Sequence, residues 1–253
     1  MIYDGFIFFN ELDILEIRLN VMSSSVDRFI LVESDKTFQG KPKPLFYQEN
    51  MDRFIGFRDR IIHVIVNDMP DGTAWEREYH QRNCIARGLP SDGQHGDVLI
   101  VSDVDEIPDL SDLRLPLCGW RLDYYYYFLN LLTVGKAWPC VMACTLEKLR
   151  QHFDGQPHKL REHRYVIPLS RKGWHFSYLG GPEKVKTKIE SFAHTEFLHR
   201  ADLPLIEKAL SEDWKNGVDV LGREMEFHKQ EDLSFLPEYL RVNQKKYQHL
   251  FCP

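Results

Sequence analysis

The stretch Gly96–Pro108, GDVLIVSDVDEIP, decides how this chain folds. Its apolar run Val98–Val101 stops abruptly at three acids, Asp103, Asp105 and Glu106. A short apolar run bounded by Gly and Pro predicts a buried strand of a parallel sheet. Acids at the carboxyl end of such a strand stand where open α/β sheets bind their ligands. Three crowded carboxylates repel one another unless a cation or a set of donors neutralises them. A hard divalent ion with oxygen ligands, holding a diphosphate, meets that need economically. A solvated acidic turn is the competing reading, and the fully apolar strand before the acids weighs against it.

The 253 residues suffice for one large α/β domain or two small ones, and no linker-like composition shift divides them. An apolar share of 43% and a charged share of 28% are those of a soluble globular protein. Aromatics reach 13%, which leans toward proteins that grip sugar rings, although aromatics also fill cores. A net charge of -6 and the lack of any Lys/Arg run argue against nucleic acid as partner. No stretch approaches the ~20 apolar residues of a transmembrane segment. The start, MIYDGFIFFNELD, lacks the basic region and cleavage site of a signal peptide. Cys84, Cys118, Cys140, Cys144 and Cys252 are odd in number and carry neither a CxxC nor a zinc spacing. They read as reduced thiols, and the expected localisation is cytoplasmic.

In chain order, Ile2–Phe9 predicts a strand, and Asn10 is placed to cap a helix from Glu11 to Met22. Phe29–Val32 and Ile61–Val66 predict further buried strands, with a loop at Thr37–Pro44. Trp75–Arg87 predicts a helix whose Trp75, Tyr79, Arg82 and Ala86 share one face, so Arg82 interrupts a stripe expected to be buried. Arg82 either pairs with Glu78 one turn earlier or sits at the lip of the site and reaches a ligand phosphate. Strand–helix–strand alternation to this point predicts a parallel sheet with covering helices. Beyond it, Trp120–Leu132 and Ala137–Thr145 are β-rich, Leu146–Phe153 is helical and Asp154–Glu162 is loop-like. Gly173–Gly181 is a short aromatic strand running into a Gly-Gly turn. Pro182–His194, Pro204–Asn216 and Pro237–His249 are amphipathic helical segments.

The second informative stretch is His175–Lys186, HFSYLGGPEKVK. A histidine at a strand end, a glycine turn and lysines opening a helix suit phosphate oxygens. Neutral imidazole is an acceptable ligand for Mn²⁺. Lys184 could reach the phosphates, with Lys186 as the alternative. Against these stand a His175 merely packed between Trp174 and Phe176, and lysines 184, 186 and 188 on a solvated helix face. Taken together, Asp103 and Asp105 would bring a cation that binds a diphosphate, and His175 with a lysine would close around it. Such a clamp stabilises a departing nucleoside diphosphate, and the transfer then needs a base for the acceptor hydroxyl.

With the segments FFNELDILEIRL, FILVESDKTFQG, WEREYHQRN, VLIVSDVDEIP and GWHFSYLGG in this order, the chain resembles glycosyltransferase family 17 from about Phe8 to about Glu196. The strand-plus-acids motif resembles the DxD motif of GT-A glycosyltransferases. The resemblance implies an α/β GT-A (Rossmann-like) fold with a mostly parallel central sheet and covering helices. The whole chain, 1–253, would be one catalytic domain, with residues 1–108 as nucleotide-sugar half and 109–253 as acceptor half and closing helices. It implies a UDP-sugar donor, with N-acetylglucosamine as the expected sugar, a glycan or glycoside acceptor, inversion at the anomeric carbon, and Mn²⁺, with Mg²⁺ as the alternative. Carried over, Asp103 would contact the ribose or the metal, Asp105 would be the main metal ligand and His175 the second. A lysine after that histidine would touch the diphosphate, and Glu33 would hold the nucleoside, unless it is a strand-end acid facing water.

Family members of the secretory pathway carry an N-terminal anchor and stem that this sequence does not show, so a protein-linked N-glycan is not assumed as acceptor. Glu183, in GGPE at a helix start, is the first candidate for the base, since a helix N-terminus favours its ionised form. Simple complementarity to the helix dipole explains it equally, and Asp123 and Glu106 are alternates. Tyr124–Tyr127 would alternate across a strand, so that half could line an acceptor groove. Two other readings compete. One is a haloacid-dehalogenase-type phosphatase with Asp103 as nucleophile, which about a hundred preceding residues of α/β disfavour. The other is a non-catalytic relative that binds sugar nucleotides.

Overall fold

The computed structural model describes residues 1–91 and 93–253. Its strands are β1 (Ile2–Phe8), β2 (Arg28–Ser34), β3 (Ile61–Val66), β4 (Val98–Asp103), β5 (Glu106–Pro108), β6 (Leu117–Tyr126), β7 (Leu131–Thr145), β8 (Ser170–Ser177) and β9 (Phe227–Lys229). The α-helices are α1 (Leu12–Met22), α2 (Phe46–Glu49), α3 (Ala74–Asn83), α4 (Leu146–Phe153), α5 (Pro157–Glu162), α6 (Pro182–Ile189), α7 (Leu203–Ser211) and α8 (Glu238–Val242). None of these helices is long and apolar enough to cross a membrane.

All strands join one sheet in the order β3-β2-β1-β4-β7-β6-β8-β5, with β9 added to β7. The ladders β3–β2, β2–β1 and β1–β4 are parallel, as the alternation predicts. Beyond β4 the sheet is mixed: β4–β7, β6–β7, β5–β8 and β7–β9 run antiparallel and β6–β8 parallel. One sheet therefore spans both halves of the chain. Only Val104 and Asp105 separate β4 from β5, yet β4 stands fourth and β5 last in the order. Two residues bridge little more than ~7 Å, so the part of the sheet from β4 to β8 must curl until β5 comes back beside β4. That closure sets Glu106 opposite His175 in the β5–β8 ladder. Gly173 permits it: φ is 121° there, and a Cβ would lie 2.5 Å from the carbonyl oxygen of Ile107.

Apolar layers cover both faces. One core packs Leu15 and Leu19 of α1 with Phe29, Ile100, Trp120 and the C-terminal Tyr247. Another packs Ile30, Val64, Leu99 and Val101 with Ile85, Leu149 and Leu160. A third joins Tyr126 and Tyr127 to Val185, Ile189 and Ile206 of α6 and α7.

Several local expectations are corrected. Asn10 does not cap α1; Glu11 occupies the cap position, and its Oε2 accepts from the backbone N–H groups of Phe9 (3.2 Å) and Asn10 (3.0 Å). Thr73 and Glu76 form a capping box that starts α3. The loop-like Asp154–Glu162 contains helix α5, where Pro157 at the first turn presets the backbone and Leu160 and Arg161 are buried. The stripe of Trp75 and Tyr79 is not core, since both rings stay exposed. Tyr124–Tyr127 are all buried, and of the four Tyr124 lines the main cavity.

Candidate active site

A cavity of about 490 Å³ opens where β1, β2 and β4 end and β8 closes the curl; Phe8, Lys36, Arg82, Asp103, Asp105, His175 and Lys188 are among its walls. The turn carrying the acids is held from below by Arg18 of α1, which is fully buried. Arg18 Nη1 donates to the carbonyl oxygens of Asp103 (3.0 Å), Val104 (3.3 Å) and Glu106 (2.7 Å), while Nε and Nη2 grip Asp4 at 2.8 and 2.6 Å. Three carbonyls converging on one guanidinium fix the backbone of the turn before any ligand arrives.

Each acid of the motif is paired with a cation, and Arg161 serves two of them. Asp103 accepts from Arg82 Nη2 at Oδ1 and from Arg161 Nη2 at Oδ2, both at 2.9 Å. Burial opposes its ionisation, but Arg161 and Arg82 outweigh that and bring its pKa down to about 2. Asp105 pairs with Lys188 Nζ at 2.8 Å. Burial is again outweighed, here by Lys188 and His175, and Asp105 lies well below the usual carboxylate range. Glu106, unexplained by the sequence beyond an alternate base, is buried and meets Arg161 in a fork: Nη1 to Oε2 at 2.6 Å and Nη2 to Oε1 at 2.8 Å. Its Oε2 also accepts the backbone N–H of Asp103 at 2.7 Å. Glu106 is thus a brace that locks the turn.

His175 Nε2 lies 3.6 Å from Asp105 Oδ1. Its ring stacks on Tyr124, with centroids 4.6 Å apart and planes at 21°, and its Nδ1 is buried without a partner. This corner fits a divalent cation by its donor set, a carboxylate oxygen facing an imidazole nitrogen beyond hydrogen-bond distance. Asp103 offers less to a cation than Asp105 does, because each of its oxygens already accepts from a guanidinium. Two protein ligands leave most of a coordination sphere to a bound group, as is usual for ions that bridge phosphates. A tighter cluster of metal-ligand side chains, Asp68, His80 and Cys84, lies elsewhere, and Arg87 already takes both oxygens of Asp68 at 3.0 and 2.7 Å.

The other expected residues divide. Arg82 lines the cavity, and its Nη2 also pairs with Glu78 one turn earlier at 2.9 Å, the helix-internal pair the sequence predicts. Lys184 does not line the cavity; its Nζ donates to the carbonyl of Asn10 at 3.2 Å. Lys188, one turn further along α6, lines the cavity and pairs with Asp105 instead. Glu183 is exposed on the first turn of α6, off the cavity wall. Glu33 neither lines the cavity nor faces water: it is fully buried, accepting from Tyr47 N at 3.0 Å and lying 3.1 Å from His63 Nε2. Sequence reasoning missed Arg161, Arg18 and the role of Lys188. A charged residue within the apolar stripe of α1, and Asp4 within an apolar strand, were the available signals for the Arg18 pair. For Arg161 there was none.

The corner can therefore hold an anion against Lys188 and Arg82 and share a cation between Asp105 and His175. The family model of glycosyltransferase family 17 matches residues 1–252. Relatives named β-1,4-mannosyl-glycoprotein 4-β-N-acetylglucosaminyltransferase, from Rattus norvegicus and Homo sapiens, are each 26% identical over 230 residues, covering 74% of this chain. The chain spans 42% of the length of these relatives. A crystal structure of the galactosyltransferase LgtC with donor and acceptor sugar analogues aligns with 66% of each chain at 12% identity, and its TM-score of 0.35 carries no argument about fold.

Proposed function

The chain belongs to glycosyltransferase family 17, and from that membership we propose that it transfers N-acetylglucosamine from UDP-N-acetylglucosamine to a hydroxyl of a β-mannosyl glycan, with inversion and with a divalent cation. The sugar and acceptor follow the names of the relatives. A GT-A arrangement, with the nucleoside over the ends of β1 and β2, belongs to the same reading. The observation that carries it is the Asp105 corner, where Lys188 at 2.8 Å and His175 at 3.6 Å meet one ionised carboxylate at the end of the β4 turn.

In this reading Arg82 and Lys188 bind and orient the diphosphate, and Arg18 and Glu106 hold the turn rigid beneath it. A cation held by Asp105 and His175, Mn²⁺ or Mg²⁺, supplies Lewis-acid stabilisation of the departing diphosphate. The acceptor oxygen forms its bond to the anomeric carbon as the bond from that carbon to the β-phosphate oxygen breaks. UDP leaves with the electron pair, and the hydroxyl proton passes to a protein base. Among the carboxylates lining the cavity, Asp103, Asp105, Glu78 and Glu106 are each held by a cation at 2.9 Å or less. That leaves Glu11 and Glu162 for the base. The same commitments occupy Asp103 and Asp105, the carboxylates of the corner itself, so neither is offered as a covalent nucleophile. They also disfavour a phosphatase, since Asp103 between two guanidiniums is a poor nucleophile.

The test is release of UDP from a panel of UDP-sugars, with and without Mn²⁺ and a β-mannosyl oligosaccharide. Cation-dependent release of UDP, fastest from UDP-N-acetylglucosamine, is expected. Preference for another UDP-sugar would overturn the choice of donor, and no turnover with any would favour a non-catalytic binder. Glu11→Gln and Glu162→Gln, assayed separately, identify the base by which of them abolishes transfer.

A further inference from the structure

Four aromatic rings among the described residues are exposed: Trp75, Tyr79, Trp138 and Tyr165. All four line the same cavity. Exposed rings collected at one place mark a surface that is covered when a ligand binds. Three of them stand on or beside the helices at one side: Trp75 and Tyr79 on α3, and Tyr165 just beyond α5. Trp138 is different, because it comes from β7, where it is paired with Leu122 of β6.

Trp138 is the exposed member of a triangle of three rings at the diphosphate corner. Its ring lies tilted on Tyr124, centroids 5.9 Å apart, and Tyr124 stacks on His175 at 4.6 Å. The centroids of Trp138 and His175 are 6.2 Å apart. Tyr124 and His175 are buried beneath it, whereas Trp138 keeps 42% of its surface exposed. An indole supported on one side and open on the other offers a flat apolar face. A pyranose has a complementary face, where its C–H bonds leave an apolar patch ringed by hydroxyls. A nucleoside base also stacks on such a ring, but on the reading above the nucleoside lies over β1 and β2, away from β7.

We infer that Trp138 is the platform for the acceptor sugar ring, the saccharide whose hydroxyl attacks beside the Asp105–His175 corner. This rests on the glycosyltransferase reading and adds the acceptor subsite to it. Because β7 rather than α3 supplies the platform, acceptor affinity depends on Trp138 and UDP affinity does not.

The test is calorimetric titration of the full chain, in Mn²⁺, first with UDP and then with a β-mannosyl-chitobiose trisaccharide in the presence of UDP. Trp138→Ala should weaken the trisaccharide about tenfold, with UDP affinity within about twofold of wild type. Trp138→Phe, which keeps an aromatic face, should recover most of the loss, and thermal melting of each variant checks the fold. No trisaccharide binding by the wild-type protein overturns the inference, as does equal binding by wild type and Trp138→Ala. Parallel loss of UDP and trisaccharide overturns it too, because the ring would then serve the donor. Failure of UDP to bind, with trisaccharide binding that still depends on Trp138, would sink the donor reading while leaving the platform in place.

Discussion

Arg18 and Asp4 are both fully buried and meet through two hydrogen bonds, Nε to Oδ2 at 2.8 Å and Nη2 to Oδ1 at 2.6 Å. The same guanidinium carries three carbonyls of the acidic turn, so one ion pair joins the core to the site. Removing one partner of a buried pair leaves an uncompensated charge, at a cost of about 3–5 kcal/mol. Asp4→Ala should therefore lower unfolding stability in urea by about that amount and weaken UDP binding, although Asp4 lines no part of the cavity. The double variant Asp4→Ala/Arg18→Met should lose less than the sum of its single changes. A loss below about 1 kcal/mol for Asp4→Ala would show that the pair does not organise the turn.

On the proposed reading Asp105 and His175 would be the two protein ligands of a cation, while each oxygen of Asp103 already accepts from an arginine. Such a corner should bind Mn²⁺ weakly alone and well only when a diphosphate completes the coordination. In thermal unfolding, Mn²⁺ or UDP alone should raise the midpoint little, and the two together clearly more, by mass action on the folded state. Asp105→Ala should abolish the joint effect. A full shift with Mn²⁺ in the absence of UDP would contradict a two-ligand corner.

How much of this was legible in sequence differs from residue to residue. Val98–Val101 was readable because a strand buried on both faces has no choice of composition. Asp105 and His175 stood out in the sequence because one follows an apolar strand and the other precedes a Gly-Gly turn. Arg161 did not, because its partners Asp103 and Glu106 lie 58 and 55 residues away and only the packing of α5 on β4 and β7 brings them together. Lys184 and Lys188 stand one turn apart on the same face of α6, and periodicity cannot rank them. What separates them is that Lys188 lies opposite Asp105, a tertiary fact. Glu33 looked like a ligand-binding acid at a strand end, but the loop after β2 folds over it and Tyr47 and His63 use it instead.

The depressed pKa of Asp103, about 2 against an ordinary 3.8, makes a statement about acid stability. A carboxylate with a lowered folded pKa stabilises the fold above its unfolded value, and the contribution is lost as pH falls through the folded value. The window is therefore about pH 4 down to about pH 2. The shift is worth about 2 kcal/mol at most, since the carboxylate keeps 30% of its surface exposed. Urea unfolding of wild type and Asp103→Asn, from about pH 6 to about pH 2.5, should show a stability gap that is constant above about pH 5 and narrows below pH 4. A gap that holds its size to the lowest pH would mean that the arginines do not act on its ionisation.

Lys188 and Lys184 allow a comparison within one helix. Lys188 Nζ touches Asp105 and borders the cavity, whereas Lys184 Nζ reaches only the carbonyl of Asn10, outside it. Lys188→Met removes the cation that balances Asp105 and the donor that meets a phosphate, each a charge-assisted contact. It should weaken UDP binding by about tenfold or more, equivalent to at least about 1.4 kcal/mol. Burial pushes the Lys188 pKa down, but Asp105 raises it above the ordinary lysine value overall, so this loss should not depend on pH between about 6 and 9. Lys184→Ala should leave UDP binding within about twofold of wild type, and so should Glu183→Gln, because that side chain is exposed off the cavity wall. Titration of UDP against the three variants decides between the lysines. If Lys184→Ala is the damaging change, the diphosphate lies toward the Gly-Gly turn and not at the Asp105 corner.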